Sequence, residues 1–150
     1  MLAVTTTSGV RILATSTLQS LRTERGLSAS FAAAGGLIAV QRPDQSIAIL
    51  STSNWQPQAI AVGEPTIASN LSFSPDERLL GAVGNDGVLR VWDATDGTLV
   101  ASRQLIESSI QSQRTKPPPV VLTAAGYALI GDPADKVNAY RVCDQCLRGL

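Results

Sequence analysis

The sequence predicts an all-β fold built from repeated antiparallel units. Short apolar runs rich in β-branched residues, for example residues 79–83 and 88–92, are bounded by Gly, Asn and Asp, a pattern typical of strands joined by tight turns. The chain of 150 residues also contains 12 glycines and 8 prolines, and no apolar stripe with the 3.6-residue period of a helix persists along it. Strands rather than helices are therefore expected throughout.

The most regular unit spans residues 67–100, "IASNLSFSPDERLLGAVGNDGVLRVWDATDGTLV". A Phe-Ser-Pro-Asp segment is followed by an Asn-Asp-Gly turn, whose residues tolerate positive φ, and then by Trp-Asp at the end of the next strand. This order and spacing resembles one blade of a WD-repeat (WD40) β-propeller. The residues that carry the resemblance are Phe73, Pro75, Asp76, Asp86, Gly87, Trp92 and Asp93.

An internal repeat extends this unit to the preceding part of the chain. A shift of 42 positions places residues 31–51 on residues 73–93 without a gap, with Phe31 on Phe73 and Leu50 on Trp92. A repeat in the low forties is characteristic of WD-repeat propellers. Residues 24–62 are therefore predicted to form a degenerate blade, which keeps the apolar positions but lacks the Ser-Pro-Asp, Trp-Asp and turn-glycine residues.

The rest of the chain is divided by the same comparison. The predicted units are a partial blade at 1–23, the degenerate blade at 24–62, the WD40-like blade at 63–103, a proline-containing loop at 104–119, a weaker degenerate blade at 120–142 and a tail at 143–150. A complete propeller needs at least four blades of about 40–45 residues each. The predicted fold is therefore a partial β-propeller of about three to four antiparallel blades.

The core of the WD40-like blade follows from alternation along residues 88–92. Leu89 and Val91 point to one face of the strand, and Val88 and Trp92 point to the other. Both faces carry apolar side chains, which suits a sheet that is covered on both sides by neighbouring blades. The predicted core residues are Leu71, Phe73, Leu89, Val91 and Trp92.

The resemblance also implies a buried polar network, which in WD blades links Trp, Ser or Thr, His and the turn Asp. Trp92 and Asp86 occupy two of those places. Glu64 stands where the family usually has His, and Ala82 stands where Ser or Thr is usual, so the network is expected to be incomplete. Our interpretation is that Asp86 caps the backbone of its own turn.

Composition narrows the classes of function. Lys plus Arg and Asp plus Glu both number 12, and this balance argues against nucleic acid or an anionic membrane surface as the partner. The chain has no His, so it cannot build a His-dependent catalytic triad by itself. No apolar run approaches the roughly 18 residues of a membrane span, and the start does not read as a signal peptide. A cytoplasmic protein with no catalytic residues and no cofactor is expected.

The tail holds the one reactive-looking motif, Cys143-Asp144-Gln145-Cys146. Two thiolates at this spacing could supply half of a zinc site, and because the chain has no second such pair and no His, a second chain would have to complete it. A redox role would usually require a helical context. The same tail resembles the end of WD-repeat arrays in bacterial signalling proteins that pair an NTPase domain with a propeller. Inert or structural thiols are the preferred interpretation.

The predicted function is protein–protein interaction, because propellers present loops on a rigid scaffold. The alternatives are a regulatory propeller portion of an NTPase-linked signalling protein and a metal or redox protein that uses Cys143 and Cys146. The expected partners are other proteins, further propeller blades or a second copy of the chain. The recurring turn carboxylates Asp44, Asp86 and Asp135 are interpreted as structural.

Overall fold

The computed structural model describes residues 1–61, 68–105, 118–131 and 137–142. Within these ranges every regular element is a β-strand, and the strands form four antiparallel sheets. Each sheet pairs strands that follow one another in sequence. The prediction of an all-β fold is confirmed.

The sheets are named blades 1 to 4 in chain order. Blade 1 contains β1 (Leu2–Thr6), β2 (Gly9–Leu13) and β3 (Ser20–Glu24). Blade 2 contains β4 (Ser28–Phe31), β5 (Leu37–Gln41), β6 (Ile47–Ser51) and β7 (Pro57–Ala61). Blade 3 contains β8 (Ala68–Phe73), β9 (Leu79–Gly84), β10 (Val88–Asp93) and β11 (Leu99–Gln104). Blade 4 contains β12 (Val120–Leu122), β13 (Tyr127–Gly131) and β14 (Val137–Arg141). Strand β3 ends one residue after position 23, the predicted end of the partial blade, and β11 ends one residue after position 103, the predicted end of the WD40-like blade.

A register shift identifies equivalent strands in different blades. It falls between Ile12 and Leu13 in blade 1, between Ile49 and Leu50 in blade 2, and between Val91 and Trp92 in blade 3. In each blade it lies where the third strand of a complete blade meets the outer strand. Blade 1 therefore consists of the second, third and outer strands, whereas the described strands of blade 4 are the inner three.

Three apolar cores lie between successive blades. Val10 and Ile12 of blade 1 pack with Ile38 and Val40 of blade 2. The opposite face of blade 2 packs on blade 3 through a cluster that contains Ile49 and Trp92. Burial of apolar surface on both faces of each inner blade is the main force that holds the blades together.

The two faces of β10 belong to different cores. Trp92 packs with blade 2, whereas Leu89 and Val91 pack with Val120 and Ile130 of blade 4. All five predicted core residues, Leu71, Phe73, Leu89, Val91 and Trp92, are buried. The predicted separation of Leu89 and Val91 from Trp92 is therefore confirmed.

Candidate interaction surfaces

The turn between β9 and β10 is organised by the carboxylate of Asp86. Its Oδ1 accepts a hydrogen bond of 3.1 Å from the backbone N–H of Val88, as the sequence interpretation of a turn cap predicts. The same carboxylate also binds Arg90, with 3.1 Å between Nη1 and Oδ1 and 2.6 Å between Nη2 and Oδ2. The capping interpretation was therefore incomplete, because Asp86 also holds a two-pronged ion pair.

Arg90 was missed at the sequence level. Its side chain is buried, and it lies on the same face of β10 as Trp92, opposite Ala82 on β9. The 42-residue repeat did not indicate a buried arginine, because Ala48 takes the equivalent place in blade 2. The available signal was a cation four residues after a turn Asp, within an apolar strand.

The surroundings of Asp86 affect its acidity in opposite directions. Burial favours the neutral acid and raises the pKa of Asp86. The hydrogen bonds from Arg90 and from the Val88 backbone, together with the positive charge of Arg90, outweigh burial, so the pKa lies below its ordinary value. Asp86 is therefore a stable anion at neutral pH and is unsuited to act as a proton donor.

The other turn carboxylates serve their own backbones in a similar way. Asp44 accepts hydrogen bonds from the side chain and backbone of Ser46 at 2.7 and 3.0 Å, and these bonds lower its pKa. Asp96 does the same with Thr98, with a lowered pKa as the result. Asp93 accepts a hydrogen bond of 2.8 Å from the N–H of Thr95. These carboxylates stabilise turns and do not converge on a common point.

The remaining residues that carry the WD40 resemblance differ in their burial. Phe73, Gly87 and Trp92 are buried, whereas Pro75 and Asp76 are exposed in the turn that connects β8 and β9. The proposed metal ligands Cys143 and Cys146 lie outside the described residues, as do Glu64 and Asp135. Within the described part of the chain, no three acidic or cysteine side chains come close enough to hold a metal ion.

The first end of the array is the face of blade 1 that points away from blade 2. On it Leu2 is 45 % exposed and Val4 is 39 % exposed. Leu2 pairs with Leu13 and Val4 pairs with Arg11, so these four side chains share one face. We call this set the leading face. It is largely apolar, and within the described structure no other blade covers it.

The second end is the face of blade 4 that points away from blade 3. Val121 is 55 % exposed and Val137 is 69 % exposed. Val121 pairs with Leu129 on β13, and Tyr127 lies two residues earlier on the same face of that strand. We call Val121, Tyr127, Leu129 and Val137, together with Arg141 opposite Tyr127, the trailing face. Apolar side chains grouped on a surface in this way commonly mark a site of protein contact.

Comparison with solved structures identifies this arrangement of blades. The β-propeller domain of Cps50 (Swd1) from Myceliophteria thermophila superposes with a TM-score of 0.64 at 16 % sequence identity, covering 83 % of this chain. The chain has the fold of a β-propeller. The propeller KlHsv2, with its loop 6CD replaced by a Gly-Ser linker, gives a TM-score of 0.66 at 14 % identity over 89 % of this chain.

The propeller segment is shorter than most of these relatives in structure. It spans 38 % of the Swd1 domain and 46 % of KlHsv2. It spans 81 % of the computationally designed protein Ika4, with a TM-score of 0.66 at 15 % identity over 91 % of this chain. No protein-family model matches the sequence, and no curated protein does. Among the described residues, none forms a helix long and apolar enough to cross a membrane.

Proposed function

We propose that this propeller segment is a protein-interaction module without catalytic activity of its own, and that its leading and trailing faces are the binding surfaces. The observation that carries the proposal is the exposure of apolar side chains at both ends of the array. Leu2 and Val137 are the clearest examples. Each stands at a position that is buried wherever the chain itself provides a neighbouring blade.

The chemistry of the faces favours a protein partner. Both are built mainly from aliphatic side chains on sheets, and such surfaces gain free energy by burial against a complementary apolar surface. Arg11 is the charged member of the leading face, and Arg141 is the charged member of the trailing face. The net charge of the chain is zero, so a polyanionic partner would gain little from long-range attraction.

The described turns contain no arrangement of carboxylates that would support catalysis as an alternative to binding. Their carboxylates accept hydrogen bonds from neighbouring backbone and hydroxyl groups, and the negative charge of Asp86 is balanced by the guanidinium of Arg90. General acid–base catalysis needs a group whose pKa lies near the working pH, whereas the pKa values of Asp44, Asp86 and Asp96 are lowered. These observations support a binding role for the described blades.

Site-specific photo-crosslinking in the native host tests this proposal. A photoreactive phenylalanine analogue would replace Val137 on the trailing face or Leu2 on the leading face. Ile60, an exposed apolar residue of the outer strand β7, provides the matched control. We expect discrete protein adducts from the two end positions and none from position 60. Equal labelling at all three positions, or no adduct at the end positions, would contradict the proposal.

A further inference from the structure

The leading face repeats the composition of two faces that are already buried inside the chain. In blade 1 Leu2 pairs with Leu13, in blade 2 Ile38 pairs with Leu50, and in blade 3 Leu80 pairs with Trp92. The register shift falls immediately before the second member of each pair, so the three pairs are equivalent. The pairs in blades 2 and 3 are buried against the preceding blade.

The charged member of the leading face also has an internal counterpart. Arg11 pairs with Val4 in blade 1, just as Arg90 pairs with Ala82 in blade 3. Arg90 is buried where blade 3 meets blade 2. An arginine at this place is compatible with a packed interface between blades when a carboxylate balances its charge, as Asp86 does for Arg90.

The trailing face is equivalent to two other buried faces. Val137 pairs with Gly131, as Leu89 pairs with Val83 in blade 3 and Ile47 pairs with Gln41 in blade 2. The interval between the paired residues is the same in all three blades. Ile47 and Leu89 are both buried against the following blade, whereas Val137 is exposed. The trailing face is thus the surface that a following blade would cover.

Leu18, at the rim of the leading face, gives separate support for a neighbouring blade at this end of the array. Gly97 and Trp55 lie at equivalent turn positions, each with positive φ. Both contact the outer strand of the preceding blade: a Cβ on Gly97 would lie 2.1 Å from the carbonyl oxygen of Ile60, and the guanidinium of Arg22 lies over the Trp55 ring at 5.7 Å. Leu18 has the same conformation, with φ of 56°, and is 66 % exposed.

Because each end face is equivalent to faces that are buried between blades, we infer that a second copy of the chain occupies the end faces. The trailing face of one copy then packs on the leading face of the other. The inference rests on the proposed function and specifies its partner. One chain carries both halves of the interface, and the two halves differ, so the contact is head-to-tail. Two copies together contribute eight blades from the described residues, which lies within the usual range for closed propellers of 4–8 blades.

Complementation between two variants tests the head-to-tail arrangement. The first variant, Leu2→Glu with Val4→Glu, places charge on the leading face. The second, Val121→Glu with Val137→Glu, does the same on the trailing face. We expect the wild-type chain to have the mass of two chains by light scattering at micromolar concentration. Each variant alone should be monomeric, with association weakened by about a hundredfold or more, because unpaired charges would be buried in an apolar contact.

An equimolar mixture of the two variants should regain a species with the mass of two chains, since one leading face and one trailing face remain intact. The single variant Ile60→Glu, with its charge on an outer strand, should associate like the wild type. Circular dichroism of each variant establishes that it is folded, and Val137→Thr, which keeps the side-chain shape, should weaken association to an intermediate degree.

Three outcomes would overturn the inference: a monomeric wild-type chain, self-association of either double variant at wild-type strength, or failure of the folded variants to combine. The proposed function is judged independently by crosslinking. If the wild-type chain is monomeric but Leu2 and Val137 still crosslink to another protein, the second copy is excluded and the binding role stands. If neither association nor crosslinking occurs, both proposals fail.

Discussion

Gln45 and Gly87 adopt the same backbone conformation at equivalent turns of blades 2 and 3. Their φ angles are 71° and 74°. Each N–H donates a 3.0 Å hydrogen bond to the carbonyl oxygen three residues earlier, that of Arg42 or Gly84 respectively. The turn geometry has therefore been kept in blade 2, although the glycine that suits it has been replaced.

This relationship predicts that Gln45→Gly stabilises the protein. A left-handed conformation costs a non-glycine residue roughly 1–2 kcal/mol, and part of the gain is offset because glycine is more flexible in the unfolded chain. We expect the free energy of unfolding to rise by about 0.5–1 kcal/mol. Urea denaturation measures the change. The reverse substitution, Gly87→Gln, should lower stability, and a lower midpoint for Gln45→Gly would show that the turn is not strained.

The second prediction concerns the core between blades 2 and 3. Trp92 is buried there with Leu80 and Ile49, so Trp92→Ala should lower the free energy of unfolding by about 3–5 kcal/mol. Trp55→Ala is the matched control. Trp55 is half-buried; it contacts Arg22, an interaction worth about 0.5–1 kcal/mol, and packs at the edge of the core between blades 1 and 2. Its replacement should therefore lower stability by less than replacement of the buried Trp92. Thermal melting followed by circular dichroism should separate the two variants, and equal melting temperatures would contradict the assignment of Trp92 to the core.

The third prediction concerns the ion pair between Asp86 and Arg90. Asp86→Asn keeps an oxygen for the Val88 N–H but removes the negative charge beside a buried guanidinium. We expect a loss of about 1–2 kcal/mol at neutral pH, with the partial exposure of Asp86 reducing the effect.

The same variant should also change the response to acid. The pKa of Asp86 is lower in the folded protein than its ordinary value, so its contribution is complete above about pH 4, the unfolded pKa. That contribution is lost as the pH falls through the folded pKa. Wild-type protein should therefore lose more stability below pH 4 than Asp86→Asn. Parallel acid unfolding curves for the two proteins would contradict this role of Asp86.

The sequence predicted the blades better than it predicted their contacts. The 42-residue repeat placed Leu50 on Trp92, and both are buried at equivalent positions. Such agreement was available because apolar alternation is a local property of a strand. Arg90 could not be assigned in this way, because its burial depends on the Asp86 side chain and on packing against blade 2. The residues of the leading and trailing faces were not predicted either, because they depend on which face of each end sheet points away from its neighbouring blade.

The fourth prediction concerns Cys143 and Cys146, the proposed metal ligands outside the described residues. If the thiols are inert or structural, replacing both with Ser should leave the melting temperature and the association state unchanged. Zinc analysis of the purified protein is the deciding measurement. One zinc ion per two chains, lost in the double variant, would instead favour a metal site shared between chains.

We have proposed that the leading and trailing faces are binding surfaces that need to be covered. The most direct test is light scattering on the purified 150-residue chain from low to high micromolar concentration, together with thermal unfolding. Association is expected, because the two end faces carry exposed apolar side chains that favour contact between chains. A monodisperse monomer of 15.7 kDa that unfolds cooperatively at high micromolar concentration would show that the two faces need no partner, and would mean that another segment of the chain covers an end face.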